Sequence, residues 1–150
     1  MDLDKQAEVL NDLVKINNDR VEGYKRAVDE LEREDTDLKP VFQEKIDQST
    51  RFHTELATQV SILGEDVATG TMASGKIYRA WMDVKAFVTG SDRKAVLASC
   101  VTGEEAAVVA YDSALKSDHL TPDLRQLLTE HLSVIRGSLS EIIALRDALK

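Results

Sequence analysis

Cysteine, proline, glycine and aromatic residues are all scarce in this chain of 150 residues, which holds 1 Cys, 2 Pro and 7 Gly and is 5% aromatic. A lone cysteine, Cys100, excludes a disulfide within the chain and is typical of a protein from a reducing compartment. No histidine stands within one helical turn of it, so we expect a small buried side chain rather than a nucleophile. A turn-rich β-sandwich is disfavoured because Gly and Pro are so few.

Long apolar runs and excess positive charge are also missing. No segment approaches the roughly 20 apolar residues of a membrane-spanning helix, and the opening MDLDKQAEVL lacks the basic and apolar regions of a secretory signal. The net charge of −8, from 27 acidic and 19 basic residues, disfavours binding to nucleic acid or to an anionic membrane. We therefore expect a soluble cytoplasmic protein with neither kind of partner.

The chain does contain a helical repeat of apolar residues along most of its length. The first segment shows it most clearly, with alternate spacings of four and three at Leu10, Val14, Asn17, Val21, Tyr24, Val28 and Leu31. The pattern predicts helices over about residues 3–33, 38–64, 92–117 and 122–149, and a shorter one over 75–88.

Capping residues mark some of the predicted helix ends. Asp37 precedes Pro40, and Thr121 precedes Pro122, so each Asp or Thr is expected to cap the start of a helix. Gly64 follows the second apolar stripe and is expected to end that helix.

The lengths of the predicted joints set the expected order of the helices. The first and third joints are short, which makes each of those helix pairs antiparallel neighbours. The middle joint, residues 65–90, is long enough to travel the length of a bundle. We therefore expect one all-α domain over residues 1–150: a ferritin-like four-helix bundle in up-down-down-up order, with a long crossover that carries a short fifth helix.

Polar residues interrupt the apolar stripes near the middle of the bundle. Counted from each helix midpoint, Asn17, His53 and Glu104 fall within about 4 Å of one plane across the bundle. Three more polar residues lie about one turn from that plane: His131, Ser138 and Glu22. Every long helix thus places a polar group in an otherwise apolar core.

One interpretation is a metal site, in which iron or another divalent metal would be held by Glu22, His53, Glu104 and His131. The Glu-x-x-His pattern of a di-iron bundle is missing, because Thr50 and Leu128 stand three residues before the two histidines. A single metal fits these residues better than a di-iron oxidase, which would have at most weak activity.

The other interpretation is a hydrogen-bonded polar layer that fixes the register of the helices. Glu104 beside His53 would satisfy both side chains, and Asn17, Ser49 and Ser138 would complete the layer. This interpretation is favoured, so we expect a non-catalytic protein with no catalytic residue and no organic cofactor.

Four segments also carry a family resemblance: INNDRVEGY (16–24), GTMASGKIYRAWMDVKAFVTGSD (70–92), GEEAAVVAY (103–111) and ALRD (144–147). In this order they resemble a bacterial family of ferritin-like four-helix-bundle proteins with no assigned function, and RAWMDVK is the most specific piece. The resemblance implies the ferritin-like topology and no particular activity, although such proteins are discussed beside stress-response bundles and metal-binding ferritin relatives. HLSVIRGSLSE (131–141) lacks the His that the family pattern leads us to expect near Ser138 or Leu139, which weakens a di-metal site.

The crossover raises the question of partners. Trp81 and Met82 most simply cover the side of the bundle, and the alternative is that they form an exposed face for a protein partner. Ferritin-like bundles commonly associate through helix faces, so the resemblance also implies a homodimer.

Overall fold

The computed structural model describes residues 2–31, 33–71 and 93–149, and this part of the chain contains helices and no strand. The long helices are α1 (Leu3–Glu30), α2 (Lys39–Ile62), α3 (Arg93–Leu115) and α4 (Pro122–Asp147), and a short 3₁₀ helix, Arg33–Leu38, precedes α2. The helix predicted over 75–88, which includes Trp81 and Met82, lies outside the described residues. None of the described helices is long and apolar enough to cross a membrane.

Two of the three predicted helix ends are confirmed. Thr121 Oγ1 accepts a hydrogen bond from the Leu124 N–H at 3.2 Å, with Pro122 in the first turn of α4. After α2, Gly64 has a φ of +78°, a conformation that glycine adopts at little cost, and its N–H bonds to the Ser61 carbonyl.

The prediction that Asp37 caps α2 is wrong. Leu38 occupies the capping position and makes no side-chain capping bond, because the chain enters α2 through the 3₁₀ helix. Asp37 instead binds Arg93 at the start of α3, with its two carboxylate oxygens 2.7 and 3.0 Å from the guanidinium nitrogens. This pair, between the half-buried Arg93 and the exposed Asp37, connects the α1–α2 joint to α3.

The four helices enclose one apolar core. α1 packs against both α2 and α3, and α3 packs against α4. α2 and α4 are joined by side chains, including the ring of Phe52 stacked on His131 with 3.9 Å between centroids. The largest apolar side chains that are completely buried come from all four helices and include Leu10, Tyr24, Phe42, Leu56, Leu97, Tyr111 and Leu128.

Neighbouring helices are antiparallel. In each neighbouring pair, the residue numbers of the contacts rise along one helix while those of their partners fall along the other. The residue pairs are Asn18–His53 and Arg20–Ser49 for α1 and α2, Asn17–Tyr111 and Arg20–Glu104 for α1 and α3, Tyr111–His131 and Glu104–Ser138 for α3 and α4, and Glu55–His131 and Lys45–Glu141 for α2 and α4. Most of these contacts join polar side chains inside the bundle.

Candidate functional site

An ion pair between Arg20 and Glu104 occupies the centre of the bundle. Arg20 comes from α1 and Glu104 from α3, and their side chains are 2% and 0% exposed. The pair is two-pronged: Nε lies 2.6 Å from Oε1 and Nη2 lies 2.8 Å from Oε2. Both carboxylate oxygens are therefore held by one planar guanidinium, the geometry in which such pairs are strongest.

The same guanidinium also binds α2 and α4. Nη1 donates to the Ser49 hydroxyl at 2.9 Å, and Nη2 donates to the Gln48 amide oxygen and to the Ser138 hydroxyl, each at 3.0 Å. Ser138 in turn donates its proton to Oε2 of Glu104. The side chain of Arg20, on α1, thus makes polar contacts with each of the three other helices.

Arg20 carries its positive charge despite its burial. Burial opposes the charge of Arg20, but the adjacent carboxylate of Glu104 outweighs it, and the net result is a raised pKa for the guanidinium. Nearby, burial and then the negative charge of Glu104 raise the pKa of Tyr24 well above its usual range. The phenol of Tyr24 therefore remains neutral, with its ring centroid 5.6 Å from the Arg20 guanidinium carbon.

A second polar feature is a chain of hydrogen bonds that runs from the core to the surface. Asn17 Nδ2 lies 2.8 Å from the Tyr111 hydroxyl, the hydroxyl lies 2.9 Å from His131 Nδ1, and His131 Nε2 lies 2.8 Å from Glu55 Oε1. Because Asn17 donates to Tyr111, the phenol proton is available for Nδ1, and Nε2 then carries the imidazole proton. Glu55 is 43% exposed, so this series of hydrogen bonds reaches the solvent.

His131 is neutral in this arrangement. Burial lowers the pKa of its imidazole, and the hydrogen bond to Glu55 opposes that shift only in part. Burial also raises the pKa of Tyr111, so the phenol keeps its proton. These hydrogen bonds therefore join three neutral side chains, Asn17, Tyr111 and His131, and end at the carboxylate of Glu55 on the surface.

A third polar group lies between α1 and α2, away from the centre. His53 Nδ1 lies 2.8 Å from Asn18 Oδ1, and Asn18 Nδ2 donates to the Gly70 carbonyl at 2.7 Å. His53, Asn18 and Glu22 line a cavity of about 560 Å³ between the two helices. Because Asn18 Oδ1 can only accept, Nδ1 of His53 donates this hydrogen bond.

The structure does not bring the four predicted metal ligands together. Glu104 pairs with Arg20, His131 lies between Tyr111 and Glu55, and His53 and Glu22 lie at the α1–α2 cavity. In residues 2–31, 33–71 and 93–149 no group of three or more His, Cys, Asp or Glu side chains is arranged to hold a metal ion.

The predicted members of the polar layer lie in the core. Asn17, Ser49, Glu104 and Ser138 are all buried, with at most 4% exposure. The predicted pairing of Glu104 with His53 is wrong, because Arg20 reaches the carboxylate from α1 while His53 binds Asn18 at the edge of the bundle. Cys100 is buried as expected, and burial raises the pKa of its thiol.

Sequence reasoning missed Arg20, the residue at the centre of the layer. A charged residue beside an apolar stripe normally extends to solvent. The available signal was spacing, since Arg20 is three residues after Asn17 and four before Tyr24 and so shares their face of the helix. Glu55 and Gln48 were missed for the same reason.

The central residues do not fit a metal ion. In di-metal bundles, carboxylates and histidines from facing helices converge on the cations. Among the residues that the structure describes, Glu104 is the one carboxylate bound to the guanidinium of Arg20, and both of its oxygens accept from that guanidinium. The guanidinium of Arg20 is therefore the cation that Glu104 binds, in the position where a metal ion would otherwise lie.

The family comparison covers most of the chain. A family model described as "Domain of unknown function (DUF2383)" matches residues 5–117. This range includes nearly all of α1 and the whole of α2 and α3, and with them Arg20 and Glu104, but not Ser138 and His131 of α4. Neither the curated proteins nor the solved structures gave a match to the chain.

Proposed function

The chain belongs to the DUF2383 family of domains of unknown function, and we propose that it is a non-catalytic ferritin-like bundle with a structural polar layer in place of a metal centre. The observation that carries this proposal is that the two best candidate metal ligands in the core bind protein groups. Both oxygens of Glu104 accept from Arg20, and both ring nitrogens of His131 are hydrogen-bonded.

The ferritin-like part of the proposal is supported by the direction of the helix contacts. If α1 runs up, its antiparallel neighbours α2 and α3 both run down, and α4, antiparallel to α3, runs up. This is the up-down-down-up order, which needs one long crossover between α2 and α3. Residues 63–92 separate these two helices, a length that fits such a crossover with a short fifth helix.

The function is tested by elemental analysis of the purified protein after anaerobic loading with Fe(II) and desalting. We expect metal at background in the wild type and in Glu104→Ala. About one metal or more per chain, lost in Glu104→Ala, would overturn the proposal and assign a metal centre to the core. Repeating the loading with Mn(II) and Zn(II) covers ions of different ligand preference.

A protein without catalytic activity would act by binding other proteins. We propose that its first partner is a second copy of the same chain, and that this homodimer has a stress-related role in the cytoplasm. Three large apolar side chains, Leu3, Ile62 and Val109, are 51%, 69% and 62% exposed. Sedimentation velocity at several concentrations tests the homodimer, and a strictly monomeric protein would direct the search to a different protein partner.

A second candidate, a mononuclear metal-binding protein, is favoured by the cavity between α1 and α2. Glu22 and His53 both line it, and the bond from His53 Nδ1 to Asn18 orients the imidazole in the way that metal-ligating histidines are commonly held. Metal that stays bound in Glu104→Ala but is lost in both Glu22→Gln and His53→Gln would support this candidate. Background metal in all four proteins would exclude it.

A further inference from the structure

The guanidinium of Arg20 is surrounded by oxygen atoms from the three other helices. Its nitrogens lie within 3.0 Å of both oxygens of Glu104, the hydroxyls of Ser49 and Ser138, and the amide oxygen of Gln48. A sixth oxygen, the Lys45 carbonyl, is 3.4 Å from Nη1. All of these atoms are acceptors toward the guanidinium, so the shell around it is that of a bound cation.

The charge of this shell matches a single positive charge. Its one acidic member is Glu104; the others are two hydroxyls, an amide and a backbone carbonyl. A guanidinium and one carboxylate cancel, whereas a divalent ion would leave an uncompensated charge in a core where burial penalises it. Di-metal bundles meet the larger charge with about four carboxylates.

The shape of the shell also matches a planar cation. Nε and Nη2 face the two Glu104 oxygens side by side, the second N–H of Nη2 is shared between Gln48 and Ser138, and Nη1 faces Ser49 and the Lys45 carbonyl. Such a fork has five donors in one plane, which a spherical ion does not reproduce.

We infer that the centre of the bundle is a binding site for one alkylguanidinium cation, and that Arg20 is its built-in occupant, joining the four helices as a metal does in other bundles. The inference rests on the proposed function, since it explains how the core is joined without metal. It adds that the remaining residues, Glu104 with Ser49, Gln48 and Ser138, form a selective receptor.

The test removes the occupant and supplies it from solution. In Arg20→Ala the side chain is truncated at Cβ and the receptor residues are unchanged, and we expect a lower Tm than the wild type. Methylguanidinium at millimolar concentration, far below denaturing levels, should raise the Tm of Arg20→Ala, by about 5–10 °C at about 100 times Kd. The same concentration of methylguanidinium should leave the Tm of the wild type unchanged.

Two comparisons make the result specific. Arg136 forms an exposed pair with Asp112, so methylguanidinium should not raise the Tm of Arg136→Ala. Adding Glu104→Gln to Arg20→Ala should abolish the rescue. No rescue of Arg20→Ala, equal rescue of Arg136→Ala, or rescue by Mn(II) as large as by methylguanidinium would overturn the inference. Because metal analysis of the wild type tests the proposed function separately, the two can fail independently.

If Arg20→Ala does not fold, the wild type still decides the matter. A guanidinium held on all sides should give separate, slowly exchanging N–H signals for Arg20 in ¹⁵N-edited NMR spectra. Averaged signals that exchange rapidly with solvent would overturn the inference.

Discussion

Arg20 and Glu104 face each other across the centre of the bundle in a two-pronged ion pair, with Nε–Oε1 and Nη2–Oε2 distances of 2.6 and 2.8 Å. In the sequence, the end of α1, the whole of α2, the long connection and the first half of α3 lie between them. The contact between the two side chains therefore forms only when these helices have packed together. Since Arg20 also binds side chains of α2 and α4, the pair is sensitive to the register of every helix.

Replacement of Glu104 by Gln should destabilise the protein strongly. It leaves the Arg20 charge buried without its counter-ion, and breaking one side of a buried pair typically costs about 3–5 kcal/mol. Urea unfolding followed by circular dichroism measures this cost. The control is Asp112→Asn, whose partner Arg136 is 57% exposed and whose loss should cost less than about 1 kcal/mol. An equal loss of unfolding free energy in the two variants would show that the central pair stabilises the protein no more than the exposed pair does.

Replacement of Tyr111 by Phe should interrupt the second polar chain. The change removes the hydroxyl between Asn17 and His131 and leaves a buried donor and a buried acceptor unpaired, at a cost of about 1–3 kcal/mol for each group left unsatisfied. A double-mutant cycle with Asn17→Leu should give a coupling energy of about 0.5–3 kcal/mol. Additive losses would contradict a direct hydrogen bond between these side chains.

Acidification should destabilise the protein through His131. Burial lowers the pKa of this imidazole below its ordinary value of 6.5, so the unfolded chain binds the proton more readily than the folded protein. The unfolding free energy should therefore fall as the pH drops below about 6.5 and stop falling, for this group, below the lowered pKa.

The measurement compares urea unfolding of the wild type and of His131→Gln at several pH values between about 7.5 and 5. The wild type should lose more stability over this range, because the variant lacks the titrating group. Asn11→Ala, which removes a hydrogen-bonding side chain of α1 but no titrating group, is the control and should keep the wild-type slope. A wild-type slope that persists in His131→Gln would assign the pH dependence to other groups.

Replacement of Asn11 by Ala should release the segment after α2. The Asn11 side chain accepts from the Ala68 N–H at 2.8 Å and donates to the Asp66 carbonyl at 3.0 Å, which fixes the start of the long connection against α1. We expect a loss of about 1 kcal/mol and faster amide hydrogen exchange at Ala68. Glu8→Ala, at an exposed position of the same helix, should leave this exchange rate unchanged.

Local signals predicted much of the fold. The Thr121–Pro122 start of α4 and the Gly64 end of α2 follow from backbone chemistry that needs no knowledge of distant residues. The helical spacing also located Asn17 and Glu104 in the core, because burial of one helix face is read directly from the repeat.

The contacts inside the core could not be predicted in the same way. A long side chain such as Arg20 reaches well beyond its own helix, and the apolar repeat carries no information about where its charged end lies. The choice between Arg20 and His53 as the partner of Glu104 depends on the rotation and relative height of α1 and α2, which are set by packing between helices. Spacing within one helix therefore predicted which residues are buried but not which of them meet.

The most direct test of a core that Arg20 holds together without metal is the melting temperature of the wild type, with EDTA and then with saturating Fe(II), Mn(II) or Zn(II). Binding of a metal to the folded state alone would raise the Tm by linkage. We predict one and the same Tm under all of these conditions. A rise of several degrees with any of the metals, abolished in Glu104→Ala, would contradict the account.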